Sequence, residues 1–328
     1  MAEPVYIFSG GRLRRESNSL VLETEEGKKH IPVENVAEIK VFGEVDLNKR
    51  LLEFLTEKNI VLHFFNHYGY YVGSYYPREF INSGLVLLKQ AEHYLDSSKR
   101  LTLAKAFVEG AIRNSICTLK KHQRKGEEVS KAIEKLSQHL LSLKSCETIE
   151  QLMAIEGNAK EVYYHTFDEI ILSEGFKFEV RTRRPPRNEL NALISFGNSL
   201  LYTTVLSEIY KTHLDPRIGF LHATNNRRFT LNLDVSEVFK PIIVDQTIFT
   251  LLNRQQIKLK DFHETVEGIA LKDHAKKVFV QEFEEALEKT VYVDSLKRNV
   301  SRRTLIRMEM YKLEKHLLGD DTYRPYLE

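Results

Sequence analysis

Three carboxylates set in one apolar stretch are the most chemically loaded feature of the sequence. Asp234, Glu237 and Asp245 fall among Val235, Val238, Phe239, Ile242, Ile243, Val244, Ile248, Phe249 and Leu252. On a regular helix the three acids lie within about 80° of one another around the axis. A helix that is apolar nearly all round is buried, and two carboxylates one turn apart on it repel unless something positive sits between them. Glu156 poses the same problem, because Leu152, Met153, Ala159 and Tyr163 flank it at helical distances and mark its stripe as core-facing. Burying even a neutral polar group without a partner costs roughly 2–7 kcal/mol, so each acid requires a partner, a raised pKa or a metal. Asp234 and Glu237 also sit near a helix start, where the macrodipole favours negative charge by about 0.3–1 kcal/mol, a partial account only. His222 follows Gly219-Phe220-Leu221 in a loop and precedes Asp234 by twelve residues. One imidazole with two or three carboxylates is a hard, oxygen-rich donor set that suits Mn2+ or Mg2+ better than zinc. Taken singly, each acid is better explained by a core ion pair, since arginines abound, and His222 by a surface position. Only the set points to a metal, and on the residues alone both readings stay open.

The elements that must position these groups follow from pattern. Residues 1 to about 76 alternate short runs rich in Val, Ile, Leu and Phe (5–9, 19–23, 36–41 and 60–65) with glycine-marked turns. One helical spacing, Leu47, Leu51, Leu52 and Leu55, interrupts them, and 70–72 reads as a closing strand. Pro77 marks a break, and 77–90 reads as a linker. Beyond it the period becomes 3.6, with helices expected over 101–112, 133–141, 148–170, 188–211, 234–253, 273–289 and 294–317. The fold class expected is α+β: a small N-terminal mixed β domain (1–76) followed by a large all-helical catalytic domain (91–328). At 328 residues, two domains are the natural division.

Composition excludes more than it selects. No apolar run is long enough for a membrane span and no secretory signal opens the chain, so a cytoplasmic protein is expected. Cys117 and Cys146 fall in helical stretches and read as free thiols. A net charge of +2 is far from the strongly basic profile of many nucleic-acid binders, so any such role rests on local clusters. Lys177, Arg181, Arg183, Arg184 and Arg187 form one, with Glu179 as the sole acid among them; Lys297, Arg298, Arg302, Arg303 and Arg307 form another. A solvated face is the ordinary explanation of either run.

Four motifs carry a family resemblance. Ile155-Glu156-Gly157-Asn158-Ala159-Lys160 with Tyr163 resembles the first catalytic motif of the CRISPR-associated adaptation integrase and endonuclease family, CRISPR-associated protein number one. Arg183-Arg184-Pro185-Pro186 followed by Asn191-Ala192-Leu193 and Ser195-Phe196-Gly197 is similar to its central motif. Leu214-Asp215-Pro216 with Gly219-Phe220-Leu221-His222 is similar to its histidine motif, and Leu233 through Pro241, continuing to Asp245, to its acidic motif. Asn198, where many members carry an aromatic, and Lys240, where arginine is common, are departures outside the proposed ligands.

The resemblance implies a DNA endonuclease and integrase that inserts new spacers into the CRISPR array by transesterification, with Mn2+ or Mg2+ as cofactor. It implies Glu156, His222 and Glu237 as metal ligands and Asp234 as an additional active-site acid. It also implies a homodimer formed through the N-terminal β domain, a small ferredoxin-like partner protein, and DNA as substrate. Arg181, Arg183, Arg184 and Arg187 are our own candidates for phosphate contacts. The rival readings are a non-catalytic DNA-binding scaffold of the same fold and a metal phosphoesterase acting on RNA or a small nucleotide.

Overall fold

The computed structural model describes residues 3–328 except 79, 80, 82, 124, 125, 184, 225–228, 266, 267 and 295, with no account of the Glu127 side chain. The chain divides into two units, Met1–Asn82 and Ser83–Glu328.

The first unit contains β1 (Glu3–Ile7), β2 (Gly11–Glu16), β3 (Ser19–Thr24), β4 (Gly27–Pro32), β5 (Val36–Val41), β6 (Val45–Asp46), α1 (Lys49–Glu57), β7 (Val61–Phe65) and β8 (Tyr71–Tyr75). They form two four-stranded sheets, ordered β1-β5-β7-β8 and β4-β3-β2-β6. In the first, β1, β5 and β7 are parallel and β8 pairs antiparallel with β7. Ile7, Leu13, Leu20, Ile39, Phe54 and Leu62 are among the residues that share one core. Asn48 caps α1 by accepting from the Leu51 amide at 3.0 Å, and the helix buries Leu51, Phe54 and Leu55. Gly11 is obligatory: its φ is +147°, and a Cβ there would stand 2.1 Å from the Glu23 carbonyl oxygen. Three strands were not expected from sequence. β2 buries Leu13 alone, β4 (GKKHIP) has no buried residue, and β6 has two residues, so none shows apolar alternation. β4 is an edge strand, where lysines oppose further pairing.

The second unit contains α2 (Gly84–Leu95), α3 (Ser97–Lys120), α4 (Glu127–Ser142), α5 (Ile149–His165), α6 (Phe167–Ile170), α7 (Glu189–Tyr210), α8 (Leu231–Phe239), α9 (Gln246–Asn253), β9 (Phe262–Thr265), β10 (Gly268–Leu271), α10 (Asp273–Glu288), β11 (Thr290–Val293), β12 (Arg298–Ser301) and α11 (Arg302–Leu318). It is not all-helical as expected: β9–β10 and β11–β12 are antiparallel hairpins. Four-residue strands lie below the length at which alternation can be told from a helix end, and β12 occupies residues expected to belong to the last helix. The stretch expected as a linker, 77–90, contains the start of α2, whose Ser83 cap accepts from the Val86 amide at 3.3 Å.

α3 organises this unit. It packs against α2, α4, α5 and α8, and so brings α5 and α8 into one neighbourhood. α7 is buried along most of its length; a Cβ at its Gly197 would meet Val244 Cγ1 at 2.6 Å, so glycine permits that approach. No helix among the described residues is long and apolar enough to cross a membrane.

Candidate active site

Glu156 sits in the middle of α5, whose N-terminus is capped by Thr148, and Glu237 sits on α8. They are 7% and 3% exposed. Both meet the same ammonium group: Lys160 Nζ lies against Glu156 and 2.8 Å from Glu237 Oε2. The other Glu237 oxygen takes Lys240 Nζ at 2.6 Å, and that ammonium also lies 4.9 Å from the centre of the Tyr202 ring. Lys160 is four residues from Glu156 and Lys240 three from Glu237, spacings that share a helix face. Sequence reading gave neither lysine a role, although the spacing was there to see.

Burial would push the Glu237 carboxyl up, but Lys160, Lys240 and His222 outweigh it and hold the group well below the usual carboxylate range. Burial likewise opposes the Lys160 charge, and Glu237 and Glu156 reverse the effect, holding the ammonium above its usual range.

Asp245 reaches the same site by a local distortion. Between α8 and α9, Pro241–Asp245 forms a π-turn, with the Asp245 amide donating to the Lys240 carbonyl at 3.1 Å. On a regular helix Asp245 would lie about 80° from Glu237; the one residue of slack in a π-turn leaves about 20°. Pro241 has no N–H, so the helical bond to the Glu237 carbonyl cannot form. α3 braces the region: Asn114 Nδ2 donates to the Val238 carbonyl at 2.8 Å and Thr118 Oγ1 to the Pro241 carbonyl at 3.2 Å. Asp245 faces Tyr163, and burial raises its carboxyl to about 7, with Tyr163, Lys240 and Arg181 only partly offsetting the cost. Glu156, Lys160, Tyr163, Glu237, Lys240 and Asp245 line one cavity of about 30 Å³.

His222 and Asp234 lie beside this cavity and do not line it. Asp234 Oδ2 accepts from the amides of Phe220 (2.5 Å) and Leu221 (2.9 Å), and Oδ1 from the His222 amide (3.0 Å). His222 Nδ1 is 2.7 Å from the same Oδ1. Asp234 therefore folds the 219–222 loop onto α8 and orients the imidazole. Gly219 is required there, since a Cβ would stand 2.8 Å from Asp234 Oδ2 and from the Thr230 carbonyl carbon. Gln90 of α2, which sequence reading passed over, fixes the loop from the other side. It donates to the carbonyls of Asp215 (2.8 Å) and Ile218 (2.7 Å) and accepts from the Asp215 amide (2.9 Å).

The three expected metal ligands are thus neighbours without sharing a coordination sphere: among the described residues no three His, Cys, Asp or Glu groups are placed to hold one ion. The reason is visible, with Lys160 between Glu156 and Glu237 and His222 Nδ1 turned to Asp234. The donor chemistry nonetheless suits a hard cation, because two glutamate oxygens already converge on one positive charge and Asp245 supplies a third carboxyl without a lysine of its own.

The basic clusters separate. Arg181 bonds Asn191 Oδ1 (2.9 Å), Ser195 Oγ (3.0 Å) and the Thr182 carbonyl, so its guanidinium ties the 178–187 segment to α7. Arg183 and Arg187 are exposed; Arg184 lies outside the described residues. In the C-terminal cluster Arg302 pairs with Glu328, Arg303 with Glu284 (2.5 Å) and Arg307 with Glu208 (2.6 Å).

These features define a two-unit protein, β-rich then helical, with a buried acid–lysine–acid site between α5 and α8. The model of the family described as CRISPR associated protein Cas1 matches residues 5–285. A CRISPR-associated endonuclease Cas1 of Thermodesulfovibrio yellowstonii is 55% identical over 327 residues, covering 100% of this chain and 99% of the relative. A solved CAS1 protein from Thermotoga maritima superposes with a TM-score of 0.90 at 52% identity, covering 99% of both chains. A casposase bound to integration product has a TM-score of 0.85 over 99% of this chain and 93% of its own; at 21% identity it attests the fold alone. The chain belongs to the Cas1 family of CRISPR-associated endonucleases.

Proposed function

We propose that this protein joins and cleaves DNA phosphodiesters with a divalent cation, Mn2+ or Mg2+, held by Glu156, Glu237 and His222, and that it inserts spacers into the CRISPR array in the cytoplasm. The observation that carries the reading is the convergence of two buried glutamates, from α5 and α8, on a single positive charge. A cation held there would polarise the phosphoryl oxygen under attack by a DNA 3′-hydroxyl or by water.

Asp234 holds His222 by Nδ1, which leaves Nε2 as the nitrogen available for a metal or for the leaving oxygen. Lys240 fixes one oxygen of Glu237 and keeps that carboxylate ionised. Arg183 and Arg187, exposed beside the start of α7, are assigned to DNA phosphates. Arg181 acts by holding their segment. Arg184 retains its sequence-based assignment as a phosphate contact. The homodimer through the first unit and the small ferredoxin-like partner follow the family resemblance and form part of this proposal.

The test is strand joining in Mn2+ by Glu156→Ala, His222→Ala and Glu237→Ala. Each is expected to lose joining while still binding DNA; undiminished joining by all three ends the reading. The rival, a scaffold whose acids serve only as ion-pair partners, draws on the same lysine contacts. It predicts no Mn2+ binding by calorimetric titration.

A further inference from the structure

The charges around the cavity do not balance evenly. Glu156, Glu237 and Asp245 supply three carboxyls, and Lys160 and Lys240 supply two ammonium groups. Asp245 carries the deficit. Asp245 is only 1% exposed, and among the described residues neither carboxyl oxygen makes a hydrogen bond of ordinary geometry, although Tyr163 faces it. Burial raises it to about 7.

The two lysines are not equivalent. The Lys240 side chain is 8% exposed, pairs with Glu237 and packs on the Tyr202 ring. Lys160 bridges the two glutamates while its side chain keeps 23% exposure, so it is the one whose long stem has a way out to solvent.

We propose that Lys160 is a built-in counter-ion that occupies the place of the catalytic cation and is displaced when the cation binds. The inference rests on the metal-site reading above and deepens it. Without metal, Lys160 keeps two buried carboxylates from facing each other with Lys240 as the one charge between them and the cavity, an imbalance that is strongly destabilising. With a divalent ion between Glu156 and Glu237 and Lys160 swung to the surface, three ionised carboxyls face two charges on the ion and one on Lys240, and the site is neutral. The shortage at Asp245 disappears in the same event. Lys160 thus lowers the apparent affinity for metal by the fraction of time it fills the site. It keeps the fold intact while metal is absent.

The experiment is calorimetric titration of Mn2+ into the full-length protein, its Lys160→Met and Lys160→Arg forms, and Glu237→Gln. Removing the competing charge in Lys160→Met is expected to tighten Mn2+ binding by about tenfold or more. Lys160→Arg keeps a permanent cation that pairs well with carboxylates, and is expected to bind Mn2+ more weakly than the parent. Thermal unfolding gives a second readout: Lys160→Met should melt lower than the parent without metal and gain more from Mn2+. Should Lys160→Met fail to fold, the arginine form decides. Unchanged or weaker binding in Lys160→Met, or unchanged binding in Lys160→Arg where it must decide alone, overturns the inference. If binding is still lost in Glu237→Gln, the metal site itself survives that result. No Mn2+ binding by the parent, or undiminished binding by Glu237→Gln, instead brings down the metal-site reading and this inference with it.

Discussion

Each unit buries a cluster of charges, and the two clusters differ in what they leave unneutralised. In the first unit Glu38 and Lys40 point from the same face of β5, with Lys40 Nζ 2.9 Å from Glu38 Oε1. His63 of β7 stands 3.5 Å from the other Glu38 oxygen and passes its Nδ1 to Ser74 at 2.6 Å, which in turn bonds Tyr71 at 2.8 Å. Burial depresses the His63 pKa, so one acid faces one base beside a neutral ring. In the second unit three acids face two lysines, Asp245 has no lysine of its own among the described residues, and a cavity opens among them. Burial of charge is common to both; surplus negative charge around a space is what marks a place for a cation.

The comparison breaks most visibly through paired substitutions. Glu237→Gln is expected to lower strand joining by at least about 100-fold, because an oxygen donor and the partner of two lysines go together. Glu38→Gln should leave the joining rate essentially unchanged and cost about 3 kcal/mol in denaturant unfolding, since it removes the buried carboxylate that faces the Lys40 ammonium. Equal losses of activity in the two variants would erase the distinction.

Asp245→Asn sharpens it through pH. The Asp245 carboxyl titrates near 7 when folded, above its ordinary value of 3.8, so the folded chain binds the extra proton between those limits. Its contribution is fully present below about pH 4 and is lost as pH rises through 7. In metal-free protein the asparagine variant should therefore match the parent near pH 4 and exceed it at pH 8, by up to about 4 kcal/mol at 1.36 per pKa unit. A difference that does not grow with pH would remove Asp245 from the account.

The smallest effects concern the arginines. Arg183→Ala and Arg187→Ala should each flatten the salt dependence of DNA binding by about one in the logarithmic slope. Arg303→Ala and Arg307→Ala should leave that slope alone and cost up to about 1 kcal/mol of stability, because their charges are already spent on Glu284 and Glu208. An unaltered slope in the first pair removes them from the DNA contacts.

Much of the helical unit was legible because its signals are local. Thr148 and Asn188 cap α5 and α7 close to the starts that pattern suggested, and an acid on an apolar stripe gave away Glu156 and Glu237. The strands β2, β4 and β6 were not legible, since their pairing comes from neighbours rather than from their own alternation. The stretch 234–253 read as one regular helix, and Pro241 was the overlooked sign that it is not.

What the sequence determined by itself was which side chains were out of place: carboxylates among aliphatic residues, where desolvation forbids them without a reason. It also carried Lys160 and Lys240 one turn away, and the four motifs of the family. Which charges meet was decided only by the tertiary structure. α3 sets α5 against α8, so Lys160 answers to a glutamate on each. The π-turn rotates Asp245 into the same cavity, and Asp234 turns inward to hold His222. A charge is neutralised by whatever lies within a few ångströms of it, and that distance is fixed by packing between segments far apart in the chain.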